Sequence, residues 1–414
     1  MGATAVALSP EDRAILALES ATVAGHTCKV VVLGEGAPPP DAIREAVATR
    51  LRAAPELTWR LGGTDQEPVW MPDEGFDLAA QVGPAPGEGR LEREALDGAV
   101  ARLFEQRLDR SRPLWRMDFL ELDGGGLALV WRLHHALADG TAAMRFARAV
   151  LWDETPVPAA APTRHSDDAR RRAHLAGFLA REFASTRQHS PFDGRIGTHR
   201  RVAFASVALR ELHDAAKQLA GATLNDAVLA VVGGALRRWL QHHHGQLGSV
   251  RVRVPVSLHE EGDDAGNRDS FFCVALPLNE PDPVARLRTA QAETAVRKAD
   301  HDAEEMDHLL RSLAGVSPEL GRLCSRLEDS PRRFALSVSN VPGPRAPVSV
   351  LGAPVESVHS LAEIGERHAL RVAVVSLADR LCFGLCADPA IVDHLGPMAA
   401  AIEVEAHALV TAAA

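Results

Sequence analysis

The residues whose types and spacing best suit chemistry lie in one run, His134-His135-Ala136-Leu137-Ala138-Asp139-Gly140. The apolar stretch Leu127 to Leu133 precedes it and reads as a buried strand, and a helical pattern from Thr141 to Val150 follows. Two imidazoles therefore stand where a strand ends, ahead of an acid–glycine turn and a helix. A histidine in that place projects into a cleft, and imidazole is the side chain most easily poised as a base near neutral pH. Asp139 opens the helix, where a carboxylate caps the first turn, and Gly140 lets the backbone pass closely under a neighbour. The plainer alternative is two ordinary histidines at a strand-to-helix corner.

Other groups could assist such a base. Thr223, Asn225 and Asp226 open the clearest helical pattern, Thr223 to Leu240, with Leu224, Val228, Val231, Ala235 and Trp239 on one side. Thr223 and Asp226 have capping-box spacing; substrate positioning by Asn225 and Asp226 is the other reading. Asn340-Val341-Pro342-Gly343-Pro344 follows a strand-like run, Phe334 to Asn340, as a stiff turn: either loop geometry or a wall of a binding site. Ser337 and Ser339 alternate on one face of that strand, where a hydroxyl can donate to an oxyanion. His242, His243 and His244 close a helix before Gly245. Consecutive residues do not face one another on a helix, so the expectation is a solvated helix end and no metal.

The positioning elements read as strand and helix in both halves of a 414-residue chain. Strand-like runs are Cys28 to Leu33, the pair Leu114 to Leu122 and Leu127 to Leu133 joined across Asp123-Gly124-Gly125-Gly126, then Val202 to Leu209, Val250 to Leu258, Phe271 to Leu278, Leu370 to Ala378 and Leu381 to Ala387. Asp41 to Arg52 and Leu91 to Leu108 carry helical spacing, and Pro68 to Val82 reads as loop with short extended pieces. The compositional break from Val157 to Arg172 marks a linker. The expected division is therefore 1–156, a linker over 157–195, and 196–414.

A net charge of −10 with no basic block argues against nucleic acid as a partner and against purely electrostatic docking on an anionic membrane. Lysine occurs only at positions 29, 217 and 298 and tyrosine is absent while arginine is abundant, which reads as the coding bias of a GC-rich bacterial genome. Five scattered cysteines (Cys28, Cys273, Cys324, Cys382, Cys386) make no disulfide framework, and Cys382 with Cys386 reads as core packing. No stretch approaches 18 apolar residues, the N-terminus lacks a signal-peptide pattern, and Val6 stands where myristoylation wants Ser or Thr. The expected location is cytoplasmic, with at most a peripheral hold on the inner face of the membrane.

With these blocks in view, the chain resembles the bacterial wax ester synthase/diacylglycerol acyltransferases, within the HHxxxDG acyltransferases that include chloramphenicol acetyltransferase and condensation domains. Beyond the central motif, the matching blocks are Leu8-Ser9-Pro10 through Glu19, Val69-Trp70, Phe76-Asp77-Leu78 and Ser111-Arg112-Pro113-Leu114-Trp115. Asn225-Asp226, Val254 through Leu258 with Gly266-Asn267, and Ser339 through Pro344 follow in family order. Departures are Gln81 where the family usually has a histidine, His259 where an arginine is common, and a missing tyrosine near Leu377.

The resemblance implies an α/β fold of two chloramphenicol-acetyltransferase-like subdomains with a central tunnel. It implies acyl-CoA as co-substrate rather than a bound cofactor, a long-chain alcohol or diacylglycerol as hydroxyl acceptor, and peripheral membrane or lipid-droplet association. His135 is then the base and His134 its neighbour, with a lesser share in the chemistry. Asp139 and Gly140 take structural roles, and Pro113, Leu114, Trp115, Asn225, Asp226, Ser339 and Asn340 are expected near substrate. The departures keep two alternatives open: a natural-product acyltransferase using a carrier-protein thioester or a small polar acceptor, and a degenerate scaffold without activity.

Overall fold

The computed structural model describes residues 5–64, 66–153, 190–243, 248–257, 269–302, 306 and 330–414. The linker reading over 157–195 falls largely outside them, as do His244, Leu258, His259, Gly266, Asn267 and Cys324.

Two six-stranded sheets carry the architecture. The first runs, edge to edge, Ser349–Val350, Ala353–Ala362, His26–Leu33, Leu127–His134, Trp115–Glu121 and Val82–Pro84. Its central strands His26–Leu33 and Leu127–His134 are buried at every residue, which is why they read as continuous apolar runs instead of alternating. They pair antiparallel with His26 opposite His134 and Val31 opposite Leu129. Alternate residues feed two cores. Cys28, Val30, Ala128 and Val130 meet the helix Leu96–Glu105. Val31, Leu33, Leu129, Trp131 and Leu133 meet the helices Pro40–Arg50 and Gly140–Val150.

The second sheet runs Asp269–Leu276, Val250–Ser257, Leu336–Val341, Leu370–Leu377, Arg380–Ala387 and Arg201–Ala208. The helices Leu209–Ala220, Leu224–His243 and Leu395–Ala413 bury their apolar faces against it. A small three-stranded sheet joins Val6–Ala7, Pro68–Pro72 and Trp59–Gly63. Cys28, Cys273, Cys382 and Cys386 are buried free thiols, as packing predicts.

The strand Ala353–Ala362 lies beside His26–Leu33, so the first sheet draws strands from both halves of the sequence. A boundary near residue 196 therefore divides the chain but not its sheets. An ion pair and its hydrogen bonds to the backbone lock the same junction. Buried Arg200 sets Nε 2.8 Å from Glu363 Oε1 and also donates to the carbonyl of Thr22, while Glu363 Oε2 accepts from the Ala24 N–H at 3.2 Å. Breaking one partner of such a buried pair leaves an uncompensated charge, so these contacts hold the 19–25 segment firmly.

Candidate active site

The two histidines end the strand Leu127–His134 and are held by different straps. The His134 N–H donates to the Leu114 carbonyl, and the His135 N–H donates to the Gly25 carbonyl, both at 2.9 Å. The carbonyl of His134 then accepts from Leu137 and Ala138 at 2.9 and 3.1 Å, closing the turn that leads to Asp139.

His134 is 2% exposed and turned into this frame. Its Nδ1 accepts from the Ala136 N–H at 3.1 Å, and its Nε2 sits 2.8 Å from Glu19 Oε1. Nδ1 as acceptor puts the proton on Nε2, facing the carboxylate. Burial disfavours a charged Glu19, but His134 and Arg110 outweigh it and hold the carboxyl below its usual range. Its Nδ1 contact with Ala136 and its Nε2 facing Glu19 place His134 in the frame of the strand end.

His135 is half-buried, with Nδ1 fully sealed in protein. Desolvation pushes its pKa down to about 4, helped by the Arg371 guanidinium and by His134, and opposed by Asp139 and its own backbone carbonyl. The imidazole is neutral at physiological pH, the state a proton acceptor requires.

Asp139 is 1% exposed and caps the helix Gly140–Val150, its carboxylate accepting from Ala142 N–H at 2.6 Å. A Cβ on Gly140 would come within 2.6 Å of Val341 Cγ2. The turn after the histidines therefore packs directly on the strand Leu336–Val341, and half-buried Ser337, Ser339 and Asn340 come with it. The Gly343 N–H donates to Ser376 Oγ at 2.9 Å, pinning the following Pro-Gly-Pro turn.

Most of the remaining expected residues make contacts that support the fold around the motif. Pro113 and Trp115 offer their carbonyls to Gln81 Nε2 at 2.8 and 2.7 Å, and Trp115 Nε1 donates to the Leu57 carbonyl at 2.7 Å. With the Leu114 carbonyl on His134, this block supports the motif from behind. Asp226 is a helix cap: Oδ2 accepts from Thr223 N–H and Oγ1 at 2.8 Å, while Oδ1 takes Thr294 Oγ1 at 2.5 Å and lies 3.7 Å from Lys298 Nζ. Those contacts tie the helix Leu224–His243 to Pro283–Ala299 and give Asp226 a structural role. Half-buried Asn225 begins the same helix.

Glu19, Gly25 and Lys29 escaped the sequence reading. Glu19 joins His134 to Arg110, at 2.8 Å, and to Arg107, at 3.4 Å. Lys29 is buried in mid-strand, donates to Ser360 Oγ at 2.6 Å, and is held down to about 8 by burial against the pull of Cys28 and Asp139. Its one visible signal was a lysine inside an apolar run. Gly25, at φ +72°, leaves no room for a Cβ, which would fall 2.7 Å from His134 Nε2 and 2.9 Å from Glu19 Cγ. Gly25→Ala is expected to cost about 1–3 kcal/mol through left-handed strain and displacement of the His134 ring. A urea titration reads the stability, and wild-type stability with wild-type activity would remove Gly25 from the frame.

Gln81 also borders a cleft of about 270 Å³ lined by Asp73, Gly75, Asp77, Ser111, Arg112 and Pro113. Its walls are polar, with three ionisable side chains.

Comparison with known proteins follows the same outline. A model of the wax ester synthase/diacylglycerol acyltransferase catalytic domain matches residues 8–185 and 160–228, and its C-terminal-domain model matches 265–409. A Mycobacterium tuberculosis protein provisionally named a diacylglycerol O-acyltransferase is 32% identical over 430 residues, covering 92% of this chain and 91% of its own. The fold is that of the wax ester synthase/diacylglycerol acyltransferase from Marinobacter aquaeolei VT8 (TM-score 0.74, 23% identity, 99% of each chain). It is also that of the first condensation domain of the CDA synthetase (TM-score 0.67, 16% identity, 100% and 98% of the chains).

Proposed function

The chain belongs to the wax ester synthase/diacylglycerol acyltransferase family, and on that premise we propose that it moves an acyl group from acyl-CoA to a hydroxyl acceptor with His135 as general base. The observation that carries this reading is the place of His135 at the strand end, its backbone N–H held by the Gly25 carbonyl at 2.9 Å and its Nδ1 buried, with desolvation favouring the neutral ring. Nε2 takes the hydroxyl proton while the acceptor oxygen adds to the thioester carbonyl. The tetrahedral intermediate collapses, the C–S bond breaks, and the imidazolium returns the proton to the departing thiolate. Its oxyanion needs a donor, and Ser339 or Ser337, on the strand that packs against Gly140, is the proposed source. The reaction as written uses the thioester and protein side chains, with coenzyme A leaving as product.

The acceptor proposed is a long-chain alcohol or diacylglycerol, taken up from a lipid surface by a chain resting peripherally on the inner face of the membrane or on a lipid droplet. Among the described residues no single helix is long and apolar enough to cross a membrane. The pair Leu209–Ala220 and Leu224–His243 passes that test only together, bent by 95°, and the second of them is mostly buried in the core. A second reading, a small or polar acceptor, draws on the polar cleft beside Gln81. Purified protein given palmitoyl-CoA with hexadecanol, dioleoylglycerol or a short alcohol separates the two by product. Acylation of none of the three would overturn the acyltransferase reading.

A further inference from the structure

We propose that His243, Asp393 and His394 form a binding site for a first-row divalent transition-metal ion, zinc or a close relative. The site lies at the junction of the helices Leu224–His243 and Leu395–Ala413, which pack on one another. It shares no residue with the histidine motif. One ligand atom from each of the three side chains lies within 4.8 Å of the other two.

The histidine run looked inert because neighbours in a helix point apart; here the second imidazole arrives from a different element. His243 is prepared as a ligand. Its Nδ1 is 2.7 Å from the Trp239 carbonyl, an acceptor only, so the ring proton sits on Nδ1 and the lone pair on Nε2. Metal-bound histidines characteristically have this arrangement, their other nitrogen donating to a carbonyl or carboxylate. The ring also stacks on Trp239, with centroids 4.5 Å apart and planes at 20°, which fixes its aim.

That Nε2 points toward Asp393 Oδ1 at 3.8 Å, and His394 Nε2 lies 3.5 Å from Asp393 Oδ2. Tetrahedral coordination at ordinary zinc bond lengths would set ligand atoms about 3.3 Å apart. The two distances end on different carboxylate oxygens and the three ligand atoms lie within 4.8 Å of one another, so binding draws the side chains inward, a movement open to Asp393 and His394 with side chains 58% and 66% exposed. Two imidazoles with one carboxylate suit zinc, cobalt, nickel or copper better than calcium or magnesium, and water completes the shell. A bound ion would staple the C-terminal helix to the core helix.

The test uses the tag-free full chain, stripped with a chelator and titrated with zinc chloride by calorimetry, alongside His394→Ala and Asp393→Asn. His243 is left intact because it packs on Trp239. Expected are one saturable site in the wild type, at least about tenfold weaker binding in each variant, and a zinc-dependent rise in melting temperature confined to the wild type. Acyl transfer without zinc should be equal in all three proteins. Absence of saturable binding in the wild type, or wild-type affinity in either variant, would overturn the proposal.

Discussion

Replacing His135 by alanine is expected to slow acyl transfer by about 10²–10⁴-fold with the thermal transition nearly unchanged. The substitution removes the imidazole proposed to take the acceptor proton. The surrounding frame is built from His134, Gly25, Glu19 and the Leu114 carbonyl, none of which depends on the His135 side chain. The same comparison on His134→Ala separates base from frame. There the loss should extend to stability, because the Glu19 carboxylate is deprived of its buried partner. Steady-state rates and melting curves on both variants check the pair. A folded His135→Ala protein of near wild-type rate would remove the base.

Stability should fall steeply as the pH drops below about 6.5. Burial holds His26 at about 3, His135 at about 4 and His359 at about 4, with Arg132 adding to the effect at His26 and Arg371 at His135. Each is neutral in the folded chain while the unfolded chain takes up a proton below about pH 6.5. The unfolded state therefore binds more protons between about pH 6.5 and 4, and the stability present above that window is lost within it. Asp97 opposes them: burial pushes its carboxyl up to about 6, so in the fold it gains a proton as the pH falls toward 4. Three groups against one give a net slope of up to about 2.7 kcal/mol per pH unit. Urea midpoints at pH 7.5 and 5 measure it, and equal midpoints would contradict the assignment of buried neutral histidines.

The legible parts of the fold were those where one local cause dominates. The strands Leu127–His134 and His26–Leu33 announce themselves because burial on both faces demands unbroken apolar sequence. The helix Leu224–His243 shows its cap and its apolar side together. The strand Ala353–Ala362 was missed: Glu356, Ser357, His359 and Ser360 break any apolar period. Those polar groups are matched only by distant residues, Ser360 by Lys29 and His359 by the Phe383 carbonyl.

The site divides in the same way. His135, Asp139 and Gly140 were readable from spacing, because a strand end, a cap and a close approach are local events. Glu19 and Gly25 were not, since their role depends on a loop brought to the strand end by Arg200 and Glu363 from the other half of the chain. Asp226 was readable as part of a capping box with Thr223, and the contacts between the two are those of such a box. Gln81 stands where a histidine was expected and holds the Pro113–Trp115 carbonyls. The departure thus alters a supporting residue at the rim of a polar cleft.

The central claim is that the acceptor hydroxyl attacks the thioester directly once His135 has taken its proton. Rapid-mixing measurement of coenzyme A release, with and without acceptor, tests it most directly. The account predicts release only when acceptor is present, with no initial burst, and a first turnover slowed about 10²–10⁴-fold by His135→Gln. A stoichiometric burst of coenzyme A without acceptor would mean a covalent acyl-enzyme and would contradict it.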